Sequence, residues 1–143
     1  MTEGRFPAWP SRVRFASHAN AAASINLHMK PKVYVETSFV SYLTARLSRD
    51  VVALGRQEVT RRWWETRRQA FALFISPVVL EEARQGDPEH AQARLQVLAN
   101  IPVVDISPTA RLIASTLLKE KALPAKAAVD ALHIAIAGAN RTQ

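Results

Sequence analysis

The sequence predicts an α/β domain built on a central parallel sheet. Short β-branched and aromatic runs stand at 32–36, 71–76 and 102–106, and amphipathic helical stretches lie between them. Pairs that open helices, Ser-Pro or Asp-Pro, recur at 76–77, 87–88 and 107–108. Strands that alternate with helices are joined most simply by crossovers, which keep the strands parallel. With 143 residues, 48% of them hydrophobic, the chain is long and apolar enough for one domain with its own core.

The first 28 residues, "MTEGRFPAWPSRVRFASHANAAASINLH", carry no sustained apolar period and hold Pro7 and Pro10. They are expected to form a disordered extension, with the domain spanning 29–143 and Met29 as a candidate alternative start. From Lys32 the pattern becomes regular. "KVYVE" is a strand ending at Glu36, and Thr37-Ser38 can cap a helix carrying Phe39, Val40, Tyr42, Leu43 and Leu47. A second helix is expected from about Val51 to Ala70, followed by the strand "FALFIS". Ser76-Pro77 starts a helix that stops near Gly86, and Asp87-Pro88 starts another that reaches about Asn100. "IPVVDI" is the third expected strand, and Ser107-Pro108 opens a helix through Glu120. Leu123-Pro124 precedes the last helix, "AKAAVDALHIAIA", which is followed only by "GANRTQ". A crossover helix normally returns the chain to the sheet, so the last strand or strands are expected to be missing.

Composition removes several chemistries. There is no cysteine, which excludes disulfide frameworks and thiolate zinc sites and suits a reducing cytoplasm. No apolar run reaches membrane-spanning length. The glycines, at 4, 55, 86 and 138, form no phosphate-cradling loop, and no nucleophile-elbow or H-E-x-x-H motif occurs. An excess of 19 Lys and Arg over 12 Asp and Glu gives +7, which favours an acidic partner, a polyphosphate backbone or an acidic protein.

Carboxylates remain. Glu36 ends the first strand, and in open parallel sheets sites form beyond the carboxyl ends of strands. Glu81 and Glu82 follow the second strand closely, and one of them is expected to be a solvated helix residue. Asp130 sits inside a helix that is otherwise almost wholly apolar. If buried, its charge needs an Arg partner, a proton or a metal ion; if exposed, Lys126 four residues earlier can pair with it. His133 is expected to be a packed helix histidine, and Asp105 a turn residue. Three acids converging on one rim would repel each other without a cation, and oxygen-only ligands favour Mg²⁺ or Mn²⁺.

In order and spacing, "VYVETSFVSYL", "ISPVVLEEARQGDPEHAQARL" and "AAVDALHIAIA" resemble the PIN domain, in particular the VapC-like toxins of bacterial toxin–antitoxin pairs. "RQEVTRRWWE" also resembles a segment of one branch of these proteins. The resemblance covers about 30–140. It implies a PIN-like α/β/α sandwich, Mg²⁺- or Mn²⁺-dependent RNA cleavage, and a cognate antitoxin as partner; a cytoplasmic homodimer is expected. Position by position it assigns the catalytic and metal-binding acids to Glu36, Glu82 and Asp130, with Ser38 as polar support. Two departures accompany it. Glu36 stands where the family usually has Asp, which moves the carboxylate by about 1.5 Å. The family also continues past the last helix into a strand beside the first one, so the chain resembles a truncated PIN domain.

Two functions follow. One is a metal-dependent endoribonuclease, to which Arg46, Arg49, Arg61, Arg62, Arg67 and Arg68 contribute attraction for RNA, unless they form a solvated face or an antitoxin surface. The alternative is a catalytically silent PIN fragment that binds an antitoxin-like partner or self-associates.

Overall fold

The computed structural model describes residues 30–140. The expected extension over 1–28 and the alternative start at Met29 lie outside the described residues. The fold is mixed α/β: a small parallel sheet with helices on both faces.

Strand β1 (Lys32–Tyr34) pairs in parallel with β2 (Ala72–Phe74), with Lys32 opposite Ala72 and Tyr34 opposite Phe74. The pairing runs one bond further, where Val35 N–H donates to the Phe74 carbonyl at 2.9 Å. The third expected strand is reduced to one parallel bridge, Ile75 opposite Val103. Ile75 N–H donates to the Pro102 carbonyl and Val104 N–H to the Ile75 carbonyl. The shortening has a local cause. Pro102 has no N–H to give a ladder, and Ser107-Pro108 turns the chain into a helix soon afterwards.

Helices α1 (Thr37–Thr44), α2 (Val51–Thr66), α3 (Pro77–Ala83) and α4 (Pro88–Leu98) cover one face. Their core joins Val35 and Ile75 to Val40, Val79, Ala83 and Leu98. Helices α5 (Pro108–Lys119) and α6 (Ala128–Ala139) cover the other face, where Phe74 meets Ala110, Ala114, Ala131, Ala135 and Ile136. Phe74 and Ile75 are consecutive yet serve opposite cores, as the two-residue period of extended chain requires. Tyr34 packs against both clusters.

The Pro-marked starts are where the sequence puts them. Asp87 caps α4 by accepting from the backbone N–H groups of Glu89 and His90, and Ser107 caps α5 by accepting from Ala110. Several details differ from expectation. Helix α1 ends at Thr44, so Leu47 lies outside it and is exposed. Helix α2 ends at Thr66, and a 3-10 turn covers Arg68–Ala70. Glu36 is the residue preceding α1, and neither Thr37 nor Ser38 caps it, because both hydroxyls are drawn to carboxylates. Ser76 precedes α3 without a side-chain cap bond, its hydroxyl being bonded to Tyr34. Among the described residues no helix is long and apolar enough to cross a membrane.

Candidate functional site

The site lies past the carboxyl ends of β1 and β2, where both chains leave the sheet into helices. Glu36 is exposed at the end of the first strand segment, and its carboxylate accepts a hydrogen bond from Ser38. Thr37, the next residue, donates from its hydroxyl to Glu82 Oε2 at 2.5 Å. Helix α3 presents Glu82 inward at 31% side-chain exposure, whereas Glu81 is exposed and lies 3.5 Å from Arg84. Of the two neighbouring acids, Glu82 is the one that faces the rim.

Glu82 has a second partner, His133 Nε2 at 3.0 Å. His133 comes from α6 and is 8% exposed, a buried ring with both nitrogens engaged. Its Nδ1 lies 2.8 Å from the Tyr34 hydroxyl, which lies 2.8 Å from Ser76 Oγ. Ser76 is fully buried. Burial pushes the Tyr34 phenol up to about 12, and the negative charges of Glu82 and Glu36 push in the same direction, outweighing the hydrogen bond from Ser76. Both carboxylates thus act on one hydroxyl.

Asp130 differs most from expectation. The helix begins only at Ala128, after a 3-10 turn over Ala125–Ala127, so Asp130 sits in the first turn rather than mid-helix. It is exposed, because α6 turns Ala131, His133, Ala135 and Ile136 inward and the Asp130 position outward. An exposed acid there needs no compensating charge. The unpaired N–H groups of the first turn favour it by about 0.3–1 kcal/mol. No ion pair joins it to Lys126 among the described residues. His133 follows Asp130 by one turn, and positions three apart are neighbours on a helix surface. Asp130 is thus exposed at a position three residues before the histidine that touches Glu82.

The donor chemistry of Glu36, Glu82 and Asp130, oxygen throughout, fits a hard divalent cation, and Glu82 Oε1 has no hydrogen-bond partner among the described residues. Their spacing does not form a closed cage: among the described residues no three His, Asp or Glu side chains are grouped so as to hold a metal ion.

The arginines divide. Arg61 donates to the Ala45 carbonyl, Arg68 stacks over the Trp64 ring and Arg46 lies 3.9 Å from Glu89, while Arg49, Arg62 and Arg67 are exposed. A cleft of about 640 Å³ lies at the opposite, amino-terminal end of the strands, lined by Lys32, Phe71, Leu73 and Pro102 among others, and none of the three acids borders it. Sequence reasoning missed Tyr34, Thr37, Ser76 and His133 as site residues. Thr37 beside Glu36, and His133 one turn after Asp130, were the available signals. Nothing in the spacing marks Tyr34 or Ser76. No protein-family model, curated protein or solved structure matches the chain.

Proposed function

We propose that the chain is a PIN-like, VapC-type endoribonuclease that hydrolyses RNA phosphodiester bonds with Mg²⁺ or Mn²⁺, and that a cognate antitoxin silences it. One observation carries this reading. Glu82, from α3, is hydrogen-bonded both to Thr37, the neighbour of Glu36, and to His133, one turn from Asp130. These bonds link three distant segments, each carrying one of the assigned acids, past the strand ends where α/β domains bind ligands. The motif resemblance set out above supplies the family.

Glu36, Glu82 and Asp130 would hold the ion, which when bound supplies activated water and neutralises charge on the scissile phosphate. The protein's own part is orientation. Ser38 restrains Glu36, and Thr37 with His133 restrains Glu82. Arg49, Arg62 and Arg67 offer exposed positive charge to the RNA backbone or to an acidic antitoxin segment. A cytoplasmic homodimer belongs to the same proposal.

The test is cleavage of structured RNA with Mg²⁺ or Mn²⁺ by the full chain and by Asp130→Asn. The exposed position of Asp130 lets the substitution keep the fold, and cleavage is expected to fall about 100-fold or more. Equal cleavage by the two proteins rejects the assignment. The lack of a three-ligand cluster favours a second reading, a catalytically silent PIN-like protein that binds an antitoxin-like partner or itself. Growth arrest relieved by Asp130→Asn supports the nuclease; partner binding indifferent to Asp130, with no cleavage, supports the silent protein.

A further inference from the structure

We infer that Ser76, Tyr34 and His133 form a one-way relay of hydrogen bonds that fixes the Glu82 carboxylate, tying down Oε2 and leaving Oε1 for a ligand. These three are positioning residues, and the inference rests on the nuclease reading only for what Glu82 then does.

The direction of the relay follows from donor and acceptor capacity. A carboxylate only accepts, so His133 Nε2 must carry the proton in its 3.0 Å contact with Glu82 Oε2. In a neutral imidazole Nδ1 is then the acceptor, and the Tyr34 hydroxyl 2.8 Å away must donate to it. Having given its proton to His133, Tyr34 can only accept from Ser76 Oγ, also at 2.8 Å. With the ring neutral, every donor points toward Glu82. Such chains polarise each bond in the same sense, and burial of Ser76 and His133 keeps water from substituting for either.

The geometry also gives each member one task. Thr37 and His133 together saturate the inward oxygen of Glu82, and Oε1 is left with no partner among the described residues. A carboxylate held by one oxygen and open at the other is the arrangement in which outer partners set ligand orientation, and loss of such partners commonly weakens metal affinity 10–100-fold.

The test uses the full chain labelled with ¹⁵N, read at the His133 ring, together with Mn²⁺ titration. Wild-type protein is expected to hold His133 in the Nε2–H tautomer with a slowly exchanging ring proton. Tyr34→Phe, which keeps the ring but removes the hydroxyl, should speed that exchange and weaken Mn²⁺ binding about 10–100-fold. His133→Gln, whose amide can still donate to Glu82, should bind Mn²⁺ more tightly than His133→Ala. A wild-type ring protonated at Nδ1 overturns the relay, as does slow exchange that persists in Tyr34→Phe. The wild-type measurement needs no variant, so a misfolded substitution does not blunt it. If wild-type protein binds no Mn²⁺, the nuclease reading fails on that result while the tautomer still decides the relay.

Discussion

At the residue scale, each polar side chain near the strand ends has been recruited by whichever partner is harder to satisfy. Ser76 stands where a hydroxyl commonly caps a helix and Thr37 one residue past that place, yet both bond side chains of the rim instead. A helix start open to water can have its N–H groups solvated, whereas a buried phenol cannot. Where no such competitor exists, the cap forms as the sequence suggests. Ser107 accepts from Ala110, and Ser107→Ala should lower stability by about 1 kcal/mol in urea unfolding. Asp87 caps α4, and the His90 backbone N–H above all holds its carboxyl below the ordinary carboxylate range. A carboxyl depressed in the folded state contributes stability above the unfolded value and loses it as pH falls through the folded one. Asp87→Asn, which keeps the cap and removes the charge, should flatten the dependence of the urea midpoint between neutral pH and about pH 3. Three short motifs single out Glu36, Glu82 and Asp130 in the sequence, and of these Glu82 is the one held by partners from two other segments. The packed position of His133 is legible too, but not its partners, since periodicity places a histidine on the buried face without naming what its nitrogens meet.

At the element scale, alanines decide how closely α5 and α6 approach. Ala110, Ala131 and Ala135 are fully buried between the two helices and the sheet. A methyl group at each contact lets the backbones come close and leaves no space for a larger side chain. Ala135→Leu should therefore destabilise the protein by about 1–3 kcal/mol in urea unfolding, by overpacking rather than by loss of contacts. An unchanged midpoint would mean that the interface can open. Six α-helices and the β1–β2 pair could be read from apolar spacing and Pro-marked starts, because those signals are local. The third strand was overcalled for the complementary reason. "IPVVDI" has strand composition, but a ladder needs N–H groups on the facing edge and enough residues before the next helix, and Pro102 and Pro108 bracket it too tightly. The start of α6 was misjudged in the same way. The 3-10 turn over Ala125–Ala127 has helical composition, and only its geometry shows that Asp130 lies in the first turn.

At the scale of the whole molecule, the sequence carries +7, and Arg49, Arg62 and Arg67 are among its exposed cations. Arg61 and Arg68 are engaged within the fold, and Arg62 and Arg67 reach solvent from α2 and the residue after it. If RNA binds there, its affinity should fall with salt, and Arg62→Ala should make that salt dependence shallower by about one unit of slope. An unchanged slope would assign Arg62 to solvent or to a protein partner.

Tyr34 has one more consequence. Its ring rests on the cores of both helical layers, and its hydroxyl sits in the chain that reaches Glu82. Loosening in either layer tilts the same ring and pulls on the same tether. The steadiness of Glu82 is therefore limited by the softer of the two layers.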